Sequence, residues 1–314
     1  MCSSDLKDGE GFDLIIIGAG PAGMSAALCA RRALLKTLLI DKALPGGETA
    51  TAYQVSNYLG FPGGILGEEL SLRMEQQLEE YQLYFTCEPV EDILNAAGKE
   101  KEVRTQLGRS YKTKAIILAC GLEPKLLGAD FEKKFTARGI SYYAQGDANE
   151  YKGKDVAVIG GGNCACYAAD YLSKFVNKLY LIHRSDDLKA VKRLKQKIFD
   201  NPVIDILWNT EPVEAFGLDR LEKIKLNNIV THQTTWLDVK GVFVYVGRTP
   251  PEDILSFEVN VDENGFIVTD DYMRTNVKGI YAAGDIRSKQ IRQIATAVSD
   301  GMIAGINVEK DLNR

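Results

Sequence analysis

The sequence predicts an α/β protein with two Rossmann-like dinucleotide-binding domains, the second inserted into the first. This prediction rests on one pattern that occurs twice, near residue 18 and again near residue 160. In both places a short apolar strand runs into a glycine-rich turn and then into a helix-forming segment, an arrangement that holds a pyrophosphate at a helix N-terminus. A length of 314 residues is about twice that of a typical domain and leaves room for both folds.

Composition and charge argue against several other classes of protein. A net charge of −5 provides no broad basic surface for nucleic acid. The longest aliphatic run, 14–17, is far too short to cross a bilayer, and residues 1–11 lack the apolar stretch of a secretory signal, so we expect a cytoplasmic protein. The two histidines and six cysteines lack the spacing of a zinc site, and no metal site is predicted.

The first glycine loop follows the apolar run 13–17. Gly18 is expected to make the tight turn, Gly20 to let the backbone approach a pyrophosphate, and Gly23 to let the following helix pack closely on the strand. The next strand, 37–40, ends at Asp41, which is positioned to accept hydrogen bonds from an adenosine ribose. The sequence therefore predicts a nucleotide site here.

The second glycine loop follows the run 156–159 and contains Gly160, Gly161 and Gly162. A helix over 166–175 and a strand over 179–182 are expected after it. His183 and Arg184 follow that strand in place of an acid, which indicates a phosphorylated or differently oriented nucleotide.

Three further strand patterns set the domain boundaries: 115–119, 241–246 and 279–283. We expect one part of an FAD-binding domain over 1–118, an inserted nucleotide-binding domain over 119–246, and the second part of the FAD-binding domain over 247–314. Asp285, which follows the last strand, is placed to hold a ribityl hydroxyl.

Several segments together resemble low-molecular-weight thioredoxin reductases over nearly the whole chain: the loops at 18–23 and 160–165, Gly46-Gly47-Glu48, Asn57-Tyr58, Ala119-Cys120-Gly121, the segment 282–285, and Arg292-Gln293. The resemblance implies FAD in the outer domain, NADPH in the inserted domain, and a homodimer whose domains rotate. The FAD contacts that it implies or that the motifs predict are Gly18, Gly20, Pro21, Ala22, Gly23, Asp41, Lys42, Gly47, Glu48, Asn57, Gly284, Asp285, Arg292, Gln293 and Ile294. For the inserted domain they are Gly160, Gly162, Asn163, Cys164, His183 and Arg184.

The chain departs from this family at the redox-active cysteines. The family carries Cys-x-x-Cys-Asp just before the second glycine loop, whereas this chain has Tyr143, Ala144, Gln145, Gly146 and Asp147. Only Asp147 survives, as a candidate for proton transfer. Reduction of thioredoxin by the usual dithiol relay is therefore not expected.

A second departure affects the arginines that clamp the 2′-phosphate of NADPH in the family. Here Ser185 and Lys189 replace two arginines, and Asp186 and Asp187 lie between them. We expect NADPH binding to be weakened or absent. Both departures are similar to cyanobacterial diflavin-linked disulfide oxidoreductases, so the inserted domain is expected to hold either a second FAD or NADPH.

The cysteines admit two interpretations. Cys164 and Cys166 lie at a helix start, where the dipole favours a thiolate, but residues two apart on a helix point away from each other. They are either a redox pair or small packing residues, and Cys120 is either redox-active or a buried small residue. Cys2, Cys29 and Cys87 are assigned to packing or to no role.

Aromatic and basic residues leave further alternatives open. Tyr142 and Tyr143 either stack on a flavin or fill the surface. A basic segment contains Lys189, Lys192, Arg193, Lys195 and Lys197. It is either a solvated helix face, with Leu188, Val191, Leu194 and Ile198 turned inward, or a surface that binds an acidic partner such as ferredoxin.

The leading functional hypothesis is an FAD-dependent oxidoreductase that passes electrons from a donor to a disulfide or another acceptor. The expected partners are ferredoxin, thioredoxin or a small disulfide. One alternative is a ferredoxin or flavodoxin NADP reductase, and another is a flavin-binding sensor without turnover.

Overall fold

A computed structural model describes residues 6–251 and 257–313, so Cys2 lies outside the described residues. The chain divides into two compact units. Unit 1 consists of Met1–Glu123 and Thr249–Arg314, and unit 2 is Pro124–Arg248. The boundaries expected from the sequence, after residues 118 and 246, fall a few residues before these points.

The strands, in chain order, are β1 (Glu10–Ile17), β2 (Thr37–Asp41), β3 (Tyr84–Cys87), β4 (Val90–Leu94), β5 (Lys101–Thr105), β6 (Ser110–Leu118), β7 (Glu123–Pro124), β8 (Ile140–Ser141), β9 (Asp155–Ile159), β10 (Lys178–Ile182), β11 (Ile204–Leu207), β12 (Thr210–Phe216), β13 (Lys223–Asn228), β14 (Thr234–Asp238), β15 (Gly241–Val244), β16 (Arg248–Thr249) and β17 (Ile280–Ala282).

The α-helices are α1 (Pro21–Arg32), α2 (Gly67–Glu79), α3 (Asp130–Phe135), α4 (Ala144–Asp147), α5 (Asn163–Leu172), α6 (Lys192–Phe199) and α7 (Ile294–Leu312). Short 3₁₀ turns occupy Gly47–Thr49, Ala148–Tyr151 and Gly284–Ile286. Among the helices of the described residues, none is long and apolar enough to cross a membrane.

Unit 1 is built on a seven-stranded sheet with the order β3-β2-β1-β6-β5-β4. Strand β17 pairs with the second half of β6, and β1, β2, β3, β6 and β17 are parallel. The chain leaves β1 for β2 on one side, while β6 lies on the other, so the end of β1 is a topological switch point. In open α/β sheets, ligands bind beyond the carboxyl ends of the strands at such a point.

The apolar run in β1 has a simple cause, because both faces of this strand are buried. Leu14 and Ile16 pack into a cluster with residues of α1 and α7, whereas Ile15 and Ile17 pack into a second cluster with Ile93 and other residues of the antiparallel strands. A strand covered on both faces shows no alternation of polar and apolar residues.

Unit 2 repeats the arrangement on a smaller scale. Its parallel sheet has the order β11-β10-β9-β15-β8, with β9 in the place that β1 takes in unit 1. Strands β12, β13 and β14 form a separate antiparallel sheet. Both predicted Rossmann-like folds are therefore present, and the α/β class is confirmed.

Two sequence expectations in unit 2 need correction. Helix α5 begins at Asn163, three residues before the expected start, because Gly162 already takes the extended N-cap conformation. Val191 was expected to face inward but is 54% exposed, since it is the N-cap of α6 and lies outside the helix face. Leu188, Leu194 and Ile198 are buried as expected.

The glycines of the first loop provide a test of the fold. A Cβ atom on Gly23 would lie 1.8 Å from the backbone oxygen of Gly18, whereas one on Gly20 would meet nothing within 4 Å. We expect Gly23→Ala to lower the free energy of unfolding by roughly 1–3 kcal/mol. The matched variant Gly20→Ala is expected to cost less than about 1 kcal/mol.

Urea unfolding of the full chain, after removal of any bound nucleotide, measures both values. Equal losses in the two variants would contradict this account of the loop.

Candidate functional site

The first glycine loop connects β1 to α1 and presents a helix N-terminus beside open space. Gly18 has a φ of +107°, and a Cβ there would lie 2.3 Å from the oxygen of Ala119. Pro21, Ala22 and Gly23 form the buried first turn of α1, with proline at a position where it has no hydrogen bond to lose. The backbone at Gly18 is thus held against the residue that follows β6, while the backbone at Gly20 remains approachable.

Asp41 anchors this loop. The backbone N–H of Ala19 donates to Asp41 Oδ2 over 2.5 Å, and the N–H of Ala43 donates to Asp41 Oδ1 over 2.9 Å. The backbone oxygen of Ala19 accepts from the N–H of Gly46 over 2.8 Å. Burial raises the pKa of Asp41 above its ordinary value. The carboxylate therefore holds the glycine loop itself, and each oxygen keeps a lone pair for a further donor.

Gly47, Glu48 and Lys42 lie around the same loop. A Cβ on Gly47 would come within 3.1 Å of Gly20 Cα, so residues 46–48 pack directly on the glycine turn. Glu48 is exposed on the 3₁₀ turn that follows. Lys42 extends toward Glu123, with its Nζ 2.5 Å from a carboxylate oxygen of that residue. Its ammonium is thus occupied by an ion pair within unit 1.

Asp285 lies on the 3₁₀ turn after β17, next to α1. A Cβ on Gly284 would be 2.8 Å from Ala22 Cβ, which shows how closely this turn approaches the first helix. Asp285 Oδ1 is buried and has no hydrogen-bond partner among residues 6–251 and 257–313. Lys289 Nζ is 3.5 Å away. Desolvation is the main cause that raises the pKa of Asp285. A buried carboxylate oxygen with one long ion pair can still accept a hydrogen bond from a ligand hydroxyl.

A charged cluster that sequence reasoning missed supports this turn. Asp300 on α7 is 7% exposed, and its carboxylate lies 2.9 Å from Arg287 and 2.9 Å from Lys289 Nζ. It also accepts from the backbone N–H of Gly284 over 3.1 Å. Asp300 therefore joins α7 to the turn that carries Asp285. The available signal was a lone acid on the otherwise apolar and small face of a helix.

The start of α7 brings together further predicted FAD contacts. The Asn57 side chain donates to the Gln293 side chain over 2.8 Å, although the residues are far apart in sequence. Arg292 donates to the backbone oxygens of Asp285 and Arg287 and lies 3.7 Å above the Phe266 ring. Ile294, the first residue of α7, packs on an apolar cluster containing Val55 and Ile65. Residues from four separate segments thus surround one region of unit 1.

The second glycine loop, in unit 2, has similar geometry. Gly160 has a φ of +141°, and a Cβ there would lie 2.3 Å from the oxygen of Tyr245. Gly162 is the N-cap of α5, and a Cβ on it would meet nothing within 4 Å. The Asn163 side chain accepts from the N–H of Val191 over 2.9 Å. The helix N-terminus again faces open space beyond a rigid turn.

His183 lies directly against this loop. It is 7% exposed, and a Cβ on Gly161 would be within 2.5 Å of three of its ring atoms. Its Nε2 atom has no hydrogen-bond partner within the described part of the chain. Burial lowers the pKa of His183, and the nearby charges of Lys189 and Arg184 lower it further. The imidazole is therefore neutral at neutral pH.

The segment after His183 carries mixed charge. Arg184 and Asp186 are exposed. Both carboxylate oxygens of Asp187 lie within 2.8 Å of Lys195 Nζ. The backbone N–H of Lys189 donates to the Gly161 oxygen over 2.7 Å, which fixes this segment beside the glycine loop.

The helix-dipole argument for Cys166 is corrected by the structure. Cys166 is buried, and desolvation raises its pKa to about 11, so burial outweighs the dipole. Cys164 is exposed on the same helical turn. Because both residues lie in α5, their side chains enter different surroundings, and a disulfide between them requires the first turn of the helix to unwind.

Cys120 is also an unfavourable thiolate. It follows β6, where its Sγ lies 3.4 Å from the backbone oxygen of Ile17. Burial, followed by the negative charge of Asp41, raises its pKa to about 12. The thiol therefore stays protonated at neutral pH.

Tyr143 and Gly146, which the family resemblance aligns with the cysteine pair, lie in direct contact. A Cβ on Gly146 would lie 2.5 Å from the Tyr143 ring, so that ring occupies the space of a side chain at residue 146. Tyr143 is 43% exposed, and half-buried Asp147 ends the short helix α4. Tyr142 donates its hydroxyl to buried Glu132 over 2.6 Å. That hydrogen bond holds Tyr142 within unit 2 and favours a structural role for this residue.

Comparisons with known proteins agree with this architecture. Residues 12–301 match the family described as Pyridine nucleotide-disulphide oxidoreductase. Thioredoxin reductase of Peptoclostridium acidaminophilum is 39% identical over 305 residues, covering 95% of this chain and 96% of that protein. The crystal structure of Lactococcus lactis thioredoxin reductase in its FR conformation has a TM-score of 0.91 and 37% identity, covering 96% of this chain and 99% of the other.

A more distant relative carries a different name. The crystal structure of a ferredoxin-flavin thioredoxin reductase from Clostridium acetobutylicum has a TM-score of 0.53 and 30% identity, covering 97% of this chain and 99% of the other. The matched region of the family and the identity to its members show that this chain belongs to the pyridine nucleotide-disulphide oxidoreductase family and is a thioredoxin reductase-like oxidoreductase.

Proposed function

We propose that this chain is an FAD-dependent oxidoreductase of the thioredoxin reductase type that works without a Cys-x-x-Cys pair. The observation that carries the proposal is the buried Oδ1 of Asp285, which faces Lys289 across 3.5 Å and keeps room for a further donor, beside a helix N-terminus whose glycine backbone is open to a ligand. Both fit a flavin dinucleotide, which has ribityl hydroxyls to donate and a pyrophosphate to accept backbone N–H groups.

Bound FAD would supply the capacity to accept and release an electron pair. The residues of unit 1 would hold and orient it. The N-terminus of α1 at Gly20 would bind the pyrophosphate, Asp41 the adenosine ribose, and Asp285 a ribityl hydroxyl. Asn57 and Gln293, which bond to each other at the start of α7, would face the ring system together with Arg292 and Ile294. The ion pairs of Asp300 would keep the Asp285 turn rigid when the ligand leaves.

The absence of the cysteine pair from the sequence is matched by the packing around its position. Tyr143 and Gly146 replace the two cysteines as a contacting pair, the ring taking the space that a second side chain would need. The Tyr143 ring packs against Gly146, and neither residue has a thiol that could attack a disulfide. We infer that electrons leave by another route, either directly to a small acceptor or to a separate redox protein.

The remaining cysteines support this inference. Half-buried Cys120 and buried Cys166 have raised pKa values, so neither provides the thiolate that disulfide exchange needs. Cys164 is exposed at a helix start, and Cys87 is also exposed. A catalytic part for Cys164, and for Asp147 in proton transfer, stays a prediction.

A second proposal is that a ferredoxin-type protein donates electrons to the bound flavin. Lys192 and Arg193 are exposed on the first turn of α6, beside exposed Lys189 and Arg184, and acidic electron carriers bind to such surfaces. The similarity to a protein named ferredoxin-flavin thioredoxin reductase favours the same donor. Reduction of the bound flavin by reduced ferredoxin, weakened at high salt, would support this candidate. Equal rates at low and high salt would contradict it.

The proposed function is tested by identifying and counting the nucleotides that the purified protein releases on denaturation. At least one FAD per chain is expected, and it should be reducible by dithionite in the native protein. Release of no FAD from freshly purified protein would refute the proposal.

Asp285 allows a sharper test. We expect Asp285→Asn to weaken FAD binding about 10- to 100-fold, because a hydrogen bond to a charged group is lost. In the flavin-free protein the same change should raise stability at neutral pH. Burial raises the folded-state pKa of Asp285, so its ionised form costs folding energy above that pKa and none below the ordinary Asp pKa.

The stabilising effect of Asp285→Asn should accordingly vanish as pH falls below about 4. FAD titration and urea unfolding across pH measure the two effects. Asp271→Asn, an exposed acid of the same unit, is the matched control and should change neither value. Unchanged FAD affinity in Asp285→Asn would contradict the assigned contact.

The Tyr143 and Gly146 contact predicts a coupled pair of substitutions. Gly146→Ala should cost about 1 kcal/mol because the ring must move aside, and the cost should disappear in a Tyr143→Ala background. With diamide added as the oxidant, the double variant Tyr143→Cys with Gly146→Cys should form a new disulfide that gives two extra thiols on reduction. Unfolding midpoints and thiol counts measure these effects, with Tyr143→Cys alone as control. Equal costs of Gly146→Ala in both backgrounds would refute the packing argument.

A further inference from the structure

The nucleotide site of unit 2 has two independent features that point to a ligand. The first is the open N-terminus of α5, a ten-residue helix, where a Cβ on Gly162 would touch nothing. The second is His183, whose Nε2 is buried and has no partner in the described residues while its ring lies against Gly161. A buried polar atom without a partner costs stability unless something binds it. Both features lie at the same loop.

The surroundings of this loop do not fit a 2′-phosphate. That group is close to dianionic at neutral pH and is usually held by paired guanidinium groups. Here Arg184 is the one guanidinium in the segment 183–191, and the exposed carboxylate of Asp186 lies two residues further on. Lys195 does not compensate, because its ammonium is bound to both oxygens of Asp187. Arg184 and Lys189 place positive charge near the loop, but Lys189 lacks the fork of a guanidinium, and the exposed carboxylate of Asp186 lies between the two residues in sequence.

The same groups suit an unmodified ribose. A carboxylate after the second strand of a Rossmann fold accepts a hydrogen bond from a ribose 2′-hydroxyl, and it disfavours a phosphate at that atom. Asp186 is four residues beyond the end of β10, on a segment that is anchored by the bond from Lys189 N–H to the Gly161 oxygen. Neutral His183 can donate to or accept from a ligand oxygen at the loop.

We propose that unit 2 binds the adenosine diphosphate half of a dinucleotide whose ribose 2′-hydroxyl is free, and that Asp186 rejects the 2′-phosphorylated form. This rests on the proposed function only in treating unit 2 as a nucleotide-binding fold. NADH and FAD both contain an adenosine diphosphate with a free 2′-hydroxyl, so both fit this site. NADPH carries a phosphate at that atom and is excluded as the preferred ligand.

The test begins with the count of nucleotides released by the purified, full-length protein. Two FAD molecules per chain, falling to one in Gly162→Val and to one in Gly20→Val, would assign a second FAD to unit 2 and support the proposal. A Cβ on either glycine meets nothing within 4 Å, so both variants are expected to fold. Release of NADP, or two FAD molecules that persist in Gly162→Val, would overturn it.

If one FAD is released, calorimetry of the FAD-loaded protein with ADP and with adenosine 2′,5′-bisphosphate shows whether unit 2 prefers a free 2′-hydroxyl or a 2′-phosphate. The proposal predicts at least 10-fold tighter binding of ADP, and binding of NADH over NADPH by a similar ratio. Equal or tighter binding of the 2′,5′-bisphosphate, or no binding of either compound, would overturn it. Release of no FAD at all would instead refute the function proposed for unit 1, and the same titration would still decide the ligand of unit 2.

The residue assignment is tested with Asp186→Arg, which should shift the preference toward the 2′,5′-bisphosphate by at least 10-fold. Asp219→Arg makes the same charge change at another exposed acid of unit 2 and should leave the ratio unaltered. His183→Phe keeps a ring against Gly161 but removes Nε2 together with the ring nitrogen that bonds to the Asp187 backbone, so ADP affinity should fall several-fold. An unchanged ratio in Asp186→Arg would refute its part in discrimination.

Discussion

The structure of unit 1 depends on the close contact between the first turn of α1 and the glycine turn beneath it. Gly23 approaches the Gly18 oxygen so closely that no side chain fits between them. This contact sets the N-terminus of α1 at the carboxyl edge of the sheet, beside β6 and β17. Helix α7 packs on α1 by the same means, since a Cβ on Gly301 would lie 2.0 Å from the Ala22 oxygen. The Asp285 turn is thereby held next to the helix start.

The two units use the same backbone construction and differ in the side chains placed around it. In unit 1 an acid after the second strand, Asp41, accepts from the loop backbone. In unit 2 the corresponding place is taken by His183, a neutral ring pressed against the loop. Each unit thus presents a helix N-terminus at a glycine turn, and the two units differ in the side chain that follows the second strand.

Much of the fold could be predicted because a continuously apolar strand that runs into a glycine turn and a helix is compatible with few folds besides a Rossmann-like one. The parts that sequence reasoning missed depend on contacts between distant residues. Asp300 bonds to the Asp285 turn only because α7 packs on α1, and no local pattern reveals that pairing. The helix dipole favoured a thiolate at Cys166, which the sequence left open as a redox or a packing residue, but burial in the core of unit 2 has the larger effect. The absence of Cys-x-x-Cys spacing was visible in the sequence, whereas the contact between the Tyr143 ring and Gly146 was not.

The central claim is that the redox capacity of this protein belongs to its bound flavin and not to a protein disulfide. Anaerobic titration with dithionite, combined with a count of free thiols before and after, tests it directly. We predict uptake of one electron pair per bound FAD, with no change in the number of thiols. Uptake of an additional pair together with the appearance of two thiols would contradict the account.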